Sequence, residues 1–254
     1  MYNFRTGEVL LIHKPLTWTS FQVVNKMKWL IKSYEAKSQK SKIDDPSVVS
    51  TNQQPPTKSQ IKIGHAGTLD PLATGLLIVC TGKQTKNIET FQAQEKEYTG
   101  TFFIGATTPC FDLEKEIDAH FPTEHITEAL IKETTKQFIG KIQQTPPLYS
   151  AIKIDGKRAY DIARAGQTAE IKSKEIEIKV FEITRIVLPQ VDFRVVCSKG
   201  TYIRSLARDF GEALKSGAHL TALCRTRIGE YKLEDAMSIE EFEKILKSDI
   251  PSDI

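Results

Sequence analysis

Gly64-His65-Ala66-Gly67-Thr68-Leu69-Asp70-Pro71-Leu72-Ala73-Thr74-Gly75 runs directly into Leu76-Leu77-Ile78-Val79-Cys80. The second stretch is a continuous apolar run between Gly75 and Gly82, the pattern of a buried strand. The first is a glycine-punctuated loop that isolates one carboxylate, Asp70. Pro71 biases Asp70 toward an extended backbone, while Gly64, Gly67 and Gly75 allow conformations or close approaches that a Cβ would block. A carboxylate on so rigid a support suits a nucleophile. Taken singly, it also suits a turn in which Asp bonds its own backbone.

A partner for Asp70 comes from Ser198-Lys199-Gly200-Thr201-Tyr202-Ile203-Arg204-Ser205-Leu206-Ala207-Arg208-Asp209-Phe210, which follows the strand-like Val191 to Cys197. Ile203, Leu206, Ala207, Phe210 and Leu214 recur at helical spacing, so Arg204 falls in the first turn of an amphipathic helix. A cation there opposes the helix dipole and calls for an anion, either a phosphate or a carboxylate. If that anion is Asp70, the guanidinium holds it ionised, as a nucleophile requires.

Outward from these blocks, Val9 to Ile12 reads as a strand, and Ser20 caps a helix that runs to about Lys32. Glu97 to Gly105 and Lys174 to Leu188 alternate as strands, and Thr123 to Phe138 reads as a surface helix. Ser238-Ile239-Glu240-Glu241 has capping-box spacing and opens a final helix to about Lys247. Strands outnumber helices and are joined too closely for parallel crossovers. The expected fold is α+β, a mostly antiparallel mixed sheet flanked by helices, in a chain long enough to bury one substantial core or two modest ones. Residues 33–60, rich in Ser, Lys, Gln and Pro, read as a flexible insertion.

Composition narrows the function classes. The 254 residues carry 35 Lys plus Arg against 32 Asp plus Glu, a net charge of +3, so a nucleic-acid partner would depend on how charge is distributed rather than on its total. No apolar run approaches the roughly 18 residues of a membrane helix. Cys80, Cys110, Cys197 and Cys224 are dispersed, with Cys197 and Cys224 expected as buried thiols, and the five histidines form no ligand spacing. These features point to a reduced cytoplasmic enzyme without metal. The best candidate polyanion surface is Lys141 to Gly166. There, Gln144 to Ser150 is proline-stiffened, Asp155-Gly156 signals a hairpin, and Lys153, Lys157, Arg158 and Arg164 are positive. Tyr160, Ile162 and Ala163 would pack a short helix closed by Gly166.

The dodecapeptide, Lys96-Glu97-Tyr98 and Ser198 to Asp209, in that order, resemble the bacterial tRNA pseudouridine-55 synthases of the TruB family, from about Val9 to about Phe242. The resemblance implies the pseudouridine synthase fold, with a catalytic domain over 8–247 and an inserted RNA-binding thumb at 141–169. It also implies a short tail at 248–254 without the C-terminal PUA domain of many relatives. Asp70 takes the position of the nucleophile and Arg204 that of its ionic partner. Tyr98 takes that of the tyrosine that stacks on the target base and helps remove its C5 proton. His65 matches the histidine that enters the T loop, Tyr202 a base-contacting tyrosine, Leu223 a pocket leucine and Lys14 the N-terminal lysine. The reaction breaks the N1–C1′ bond and rejoins the base through C5, so no cofactor is implied. The implied partner is the T stem-loop of tRNA, bound by a monomer with no membrane and no obligate protein partner. Thr107 to Asp112 departs from a more acidic stretch in many relatives, which leaves Asp112 with a supporting role at most.

Two other classes share these residues. A noncatalytic RNA-binding or RNA-folding module would keep all its activity in Asp70→Asn. A nucleoside hydrolase would use a carboxylate at C1′ and release free uracil.

Overall fold

The computed structural model describes residues 2–43, 61–150, 152–154, 156–165 and 171–249. In chain order the first elements are β1 (Val9–Lys14), α1 (Ser20–Ile43), β2 (Ile63–His65), β3 (Ala73–Thr81) and α2 (Ile88–Ala93). β4 (Lys96–Ile104), β5 (Ala106–Thr107), β6 (Ala119–His120), α3 (Glu128–Thr135) and β7 (Gly140–Gln144) follow. Next are β8 (Lys153–Ile154), β9 (Lys157–Arg158), α4 (Ala159–Arg164), β10 (Lys174–Val187) and β11 (Gln190–Cys197). The chain continues with α5 (Ile203–Ala213), β12 (Ala218–Ile228), β13 (Tyr231–Lys232) and α6 (Ile239–Ser248). It forms two compact units, residues 1–92 with 230–254 and residues 93–229. Of one substantial core or two modest ones, burial resolves two apolar clusters.

In the first unit, the apolar run after Gly75 becomes β3, buried from Gly75 through Thr81. β1 pairs antiparallel with it from Val9 opposite Cys80 to Lys14 opposite Gly75, and β2 pairs with its far end. Helix α1 lays Val23, Met27, Leu30, Ile31 and Tyr34 against Leu10, Ile12, Leu77 and Val79, with Phe242 and Leu246 of α6 completing the cluster. These buried positions keep the spacing of one helical face.

Three expectations change in this unit. Helix α1 continues from Lys32 to Ile43, so the first eleven residues of the expected insertion are helical. Tyr34 extends the buried stripe by one more turn, its hydroxyl bonds Asp249, and the polar residues beyond it are good helix formers. Residues 44–60 lie outside the described residues. The cap of α1 is Thr19, not Ser20: Gln22 N–H donates to Thr19 Oγ1 while Thr19 N–H donates to Gln22 Oε1, a reciprocal capping box. Finally, Ser248 closes α6 and Asp249 caps it, so the expected tail begins inside the fold. The Ser238–Glu241 capping box forms as expected.

In the second unit, β7, β10, β11, β4 and β12 pair antiparallel in that order. Alternation decides the two faces. Phe102, Val191, Phe193 and Val195 point to one face, where Leu206 and Phe210 of α5 and Ile131 of α3 cover them. The other face carries charge: Arg194 bonds Glu182 and Glu97, and Arg227 bonds Glu95. Helix α3 starts at Glu128 rather than near Thr123, because Thr127 Oγ1 accepts the Leu130 N–H and sets the start. Lys141 to Gln144, expected within the thumb, are strand β7, paired with β10. Of the Asp155-Gly156 signal, Asp155 lies outside the described residues; β8 and β9 pair antiparallel, Gly156 stands at φ +84°, and α4 follows. The expected closing residue, Gly166, lies outside the described residues.

Candidate active site

The Asp70 loop is pinned on both sides of the carboxylate. Ahead of it, Leu69 N–H donates to Ser20 Oγ (2.9 Å) and Ser20 Oγ donates back to Leu69 C=O (3.2 Å), with Ser20 buried. Behind it, Pro71 C=O accepts from Thr17 N–H and from the Lys14 ammonium, and Ala73 N–H closes on Asp70 C=O. Gly67 and Gly75 stand at φ +97° and +109°, which any other residue would strain to adopt. Asp70 itself is half-buried, and His65 is half-buried at the end of β2. Lys14 is completely buried, and its ammonium also donates to the carbonyls of Pro15 and Trp18. These bonds make it a brace under the loop.

Taken by itself, the second unit holds the arginine. Arg204 lies in the first turn of α5 with its side chain 5% exposed. Its guanidinium donates to Cys110 C=O (3.2 Å) and Tyr149 C=O (2.7 Å) and pairs with Asp112 at 3.5 Å. Asp112 turns its other oxygen to the Glu114 N–H, so the carboxylate is held at both oxygens. Asp112 is therefore part of the arginine's surroundings in this unit. Its only signal in the sequence is an acid in a turn-rich stretch. Tyr202 caps α5 without a capping side-chain bond, its main chain held by Gln144.

Tyr98 and Leu223 share the inner face of the sheet. Gly100 sits opposite Leu223, and Tyr98 sits opposite Arg225. A bulge between Leu220 and Ala222 shifts the period by one, which turns Leu223 and Arg225 inward. A Cβ on Gly100 would meet Ala222 C=O at 2.3 Å and the Phe193 ring at 2.8 Å, so only glycine fits beside this corner. Arg225 is fully buried, and nothing in the sequence marked it. Burial and the Arg225 charge depress the Lys96 ammonium to about 8. Burial pushes the Cys80 thiol up to about 11 and Cys197 to about 12, so both are inert. Cys224, expected buried, is half-buried.

Cations gather in the first unit, where Arg5, Lys62, Lys83 and Lys86 line a cleft of about 290 Å³. Arg5 is paired with Glu35. The thumb cations Lys153, Lys157, Arg158 and Arg164 have side chains outside the described residues. Among the described residues, no group of three His, Cys, Asp or Glu is placed to hold a metal, and no helix is long and apolar enough to cross a membrane.

A family model described as TruB family pseudouridylate synthase, N-terminal domain, matches residues 51–203. One described as the tRNA pseudouridylate synthase B C-terminal domain matches 204–250. The chain belongs to the TruB family. It is accordingly an isomerase, a pseudouridylate synthase. A TruB relative from Flavobacterium johnsoniae, named tRNA pseudouridine synthase B, is 59% identical, covering 96% of this chain and 98% of its own. One of the same name from Phocaeicola vulgatus is 55% identical over 96% and 95%. Among solved structures, a Cbf5-Nop10-Gar1 complex contains a chain that superposes with a TM-score of 0.67 at 27% identity. The match covers 97% of this chain and 57% of that one, so this chain spans a little over half its length. The TruB N-terminal match includes the Asp70 loop, Tyr98, Asp112 and Tyr202, while Arg204 and Leu223 fall in the C-terminal match.

Proposed function

We propose that this chain isomerises uridine to pseudouridine in tRNA, at position 55 of the T loop, with Asp70 as the nucleophile. The observation that carries the substrate is the name tRNA pseudouridine synthase B on relatives 59% and 55% identical over nearly the whole of both chains. The pinned Asp70 loop supports the chemistry, since a nucleophile gains most from a fixed attack geometry.

In this reading the N1–C1′ bond breaks, the detached uracil turns, and C5 joins C1′. The proton leaving C5 is balanced by one gained at N1, so nothing is oxidised, reduced or hydrolysed. Attack of Asp70 on C1′ and elimination to a glycal both start from the ionised carboxylate. Arg204 is assigned as the ionic partner of Asp70, itself steadied by Asp112. Because the reacting atoms are covered in a stacked strand, the uridine flips out, and an aromatic face replaces the lost stacking. Tyr98 serves there and helps remove the C5 proton. Tyr202 and Leu223 border the base, and His65 enters the T loop. Lys14 acts at one remove through the Pro71 carbonyl. Lys62, Lys83 and Lys86 supply phosphate contacts, which orient the RNA, while loop shape and the flipped base select it. The enzyme works as a monomer in the cytoplasm, a compartment that suits four free thiols.

The test incubates unmodified tRNA with the wild type and with Asp70→Asn and maps pseudouridine at nucleotide resolution. Modification of a single T-loop uridine, lost in the variant while RNA binding persists, is the expected result. Free uracil in the supernatant, or full modification by Asp70→Asn, would overturn it.

A further inference from the structure

Helix α5 begins in an unusual way. Its N-cap is Tyr202, with an extended backbone and no capping bond from its side chain, whereas a helix that sets its own start uses Ser, Thr, Asp or Asn there. The start is set from outside. Gln144, 1% exposed at the end of β7, donates from Nε2 to Tyr202 C=O (3.1 Å) and accepts the Tyr202 N–H at Oε1 (2.8 Å). One planar amide thus holds both main-chain groups of one residue. The next carbonyl along, that of Thr145, accepts from Ser205 Oγ and Arg208 Nη2, and the Tyr149 carbonyl accepts from Arg204. The first two turns of α5 are therefore cradled by Gln144 at the end of β7 and by the segment that follows it.

The geometry points to Gln144 as a positioning residue for the reaction: its buried amide closes two bonds on the Tyr202 main chain and so sets where the Tyr202 ring and, two residues on, the Arg204 guanidinium stand. This rests on the reading above that Tyr202 borders the target base. A tyrosine occupies the cap because its ring is needed there, and Gln144 supplies the capping that the ring cannot. The same amide links α5 to the start of the segment read as the RNA-binding thumb.

Two substitutions in the full chain test it. Gln144→Glu keeps the shape but, ionised, offers only acceptors, and one of its oxygens then faces the Tyr202 carbonyl oxygen. Burial raises the carboxyl's pKa, so lowering the pH restores a donor. Gln144→Met keeps the length and removes both bonds at every pH. Single-turnover pseudouridine formation on unmodified tRNA is expected to fall about 10- to 100-fold in Gln144→Glu at pH 8.5. It should return to within about threefold of wild type by pH 6, with KM changed by less than about threefold throughout. Gln144→Met should be slow across the range, and its Tyr202 amide should lose hydrogen-exchange protection while the cooperative melt persists. Wild-type rates in Gln144→Met, a Gln144→Glu defect that ignores pH, unchanged protection at Tyr202, or loss of the cooperative melt would each overturn the assignment. A wild type that forms no pseudouridine in tRNA would count against the substrate reading alone, because the exchange measurement still decides the role of Gln144.

Discussion

The Arg204 guanidinium lies 3.5 Å from the Asp112 carboxylate, and the two side chains are 5% and 7% exposed. The two charges therefore attract in a medium that screens little. Asp112→Asn would take this anion away from a buried guanidinium. Removing one partner of such a pair costs about 3–5 kcal/mol, so thermal unfolding should move down clearly, and turnover should fall at least about tenfold as Arg204 shifts. A melt within about 1 kcal/mol of wild type would show that Asp112 does not sustain the charge.

Ser20 and Thr19 are adjacent and should separate two functions. Ser20→Ala removes both bonds to Leu69 and should cost about 1–3 kcal/mol, with turnover falling because the residue before Asp70 is released. Thr19→Ala removes only the cap of α1, at about 1 kcal/mol, and should leave turnover within about twofold of wild type. Steady-state kinetics and melts on the pair check this, and equal turnover in the two variants would be the contrary result.

Lys14→Met keeps the aliphatic length but leaves the Trp18 and Pro71 carbonyls without the ammonium. The Pro71 carbonyl keeps the Thr17 N–H, while a buried acceptor that loses its donor costs about 1–3 kcal/mol. Because Lys14 braces the loop, kcat should drop while KM for RNA stays near wild type. A rise in KM alone would instead make Lys14 a direct contact.

Lys96 yields a pH dependence with a definite sign. Its ammonium titrates near 8 in the folded chain against an ordinary 10.5. Between those values the unfolded chain binds the extra proton, so stability rises with pH through this window, and below about pH 8 the cost of burying the charge is fully present. Urea melts from pH 7 to 10.5 should show the rise, and Lys96→Met should flatten it. A slope that survives the substitution would assign it to another group.

Lys62, Lys83 and Lys86 should act through salt-dependent binding. Changing all three to Gln should weaken tRNA binding and make the log-log salt slope shallower by about 0.7–0.9 for every phosphate that is no longer neutralised. Single-turnover rates at saturating enzyme should stay near wild type. An unchanged slope would remove the cleft from the RNA path.

Legibility of the fold follows how local the signal is. β3, β4, β10 and β11 are readable because alternation or a continuous apolar run is set by near neighbours, as is the Ser238 capping box. The end of α1 escapes the sequence because the apolar stripe stops at Tyr34 while the helix continues through polar helix formers. Its start is ambiguous although Thr19-x-x-Gln22 is visible, because Ser20 is an equally good cap by type. Within the candidate site, Asp70, Arg204 and the aromatic residues stand out as motif residues. Asp112, Gln144 and Arg225 do not, since each acts on a group distant in sequence.

By itself the sequence determined the reactive inventory and its rigid supports: one carboxylate in a glycine loop before a buried strand, one arginine at the head of an amphipathic helix, and a family pattern linking them. Only the tertiary structure decided what holds these groups. Ser20 turns to Leu69 rather than to its own helix, Lys14 goes inward, Asp112 faces Arg204, and a bulge turns Leu223 to the inner face. The physical reason is that side-chain chemistry is written locally, whereas a buried polar group must find its partner wherever the folded chain brings one.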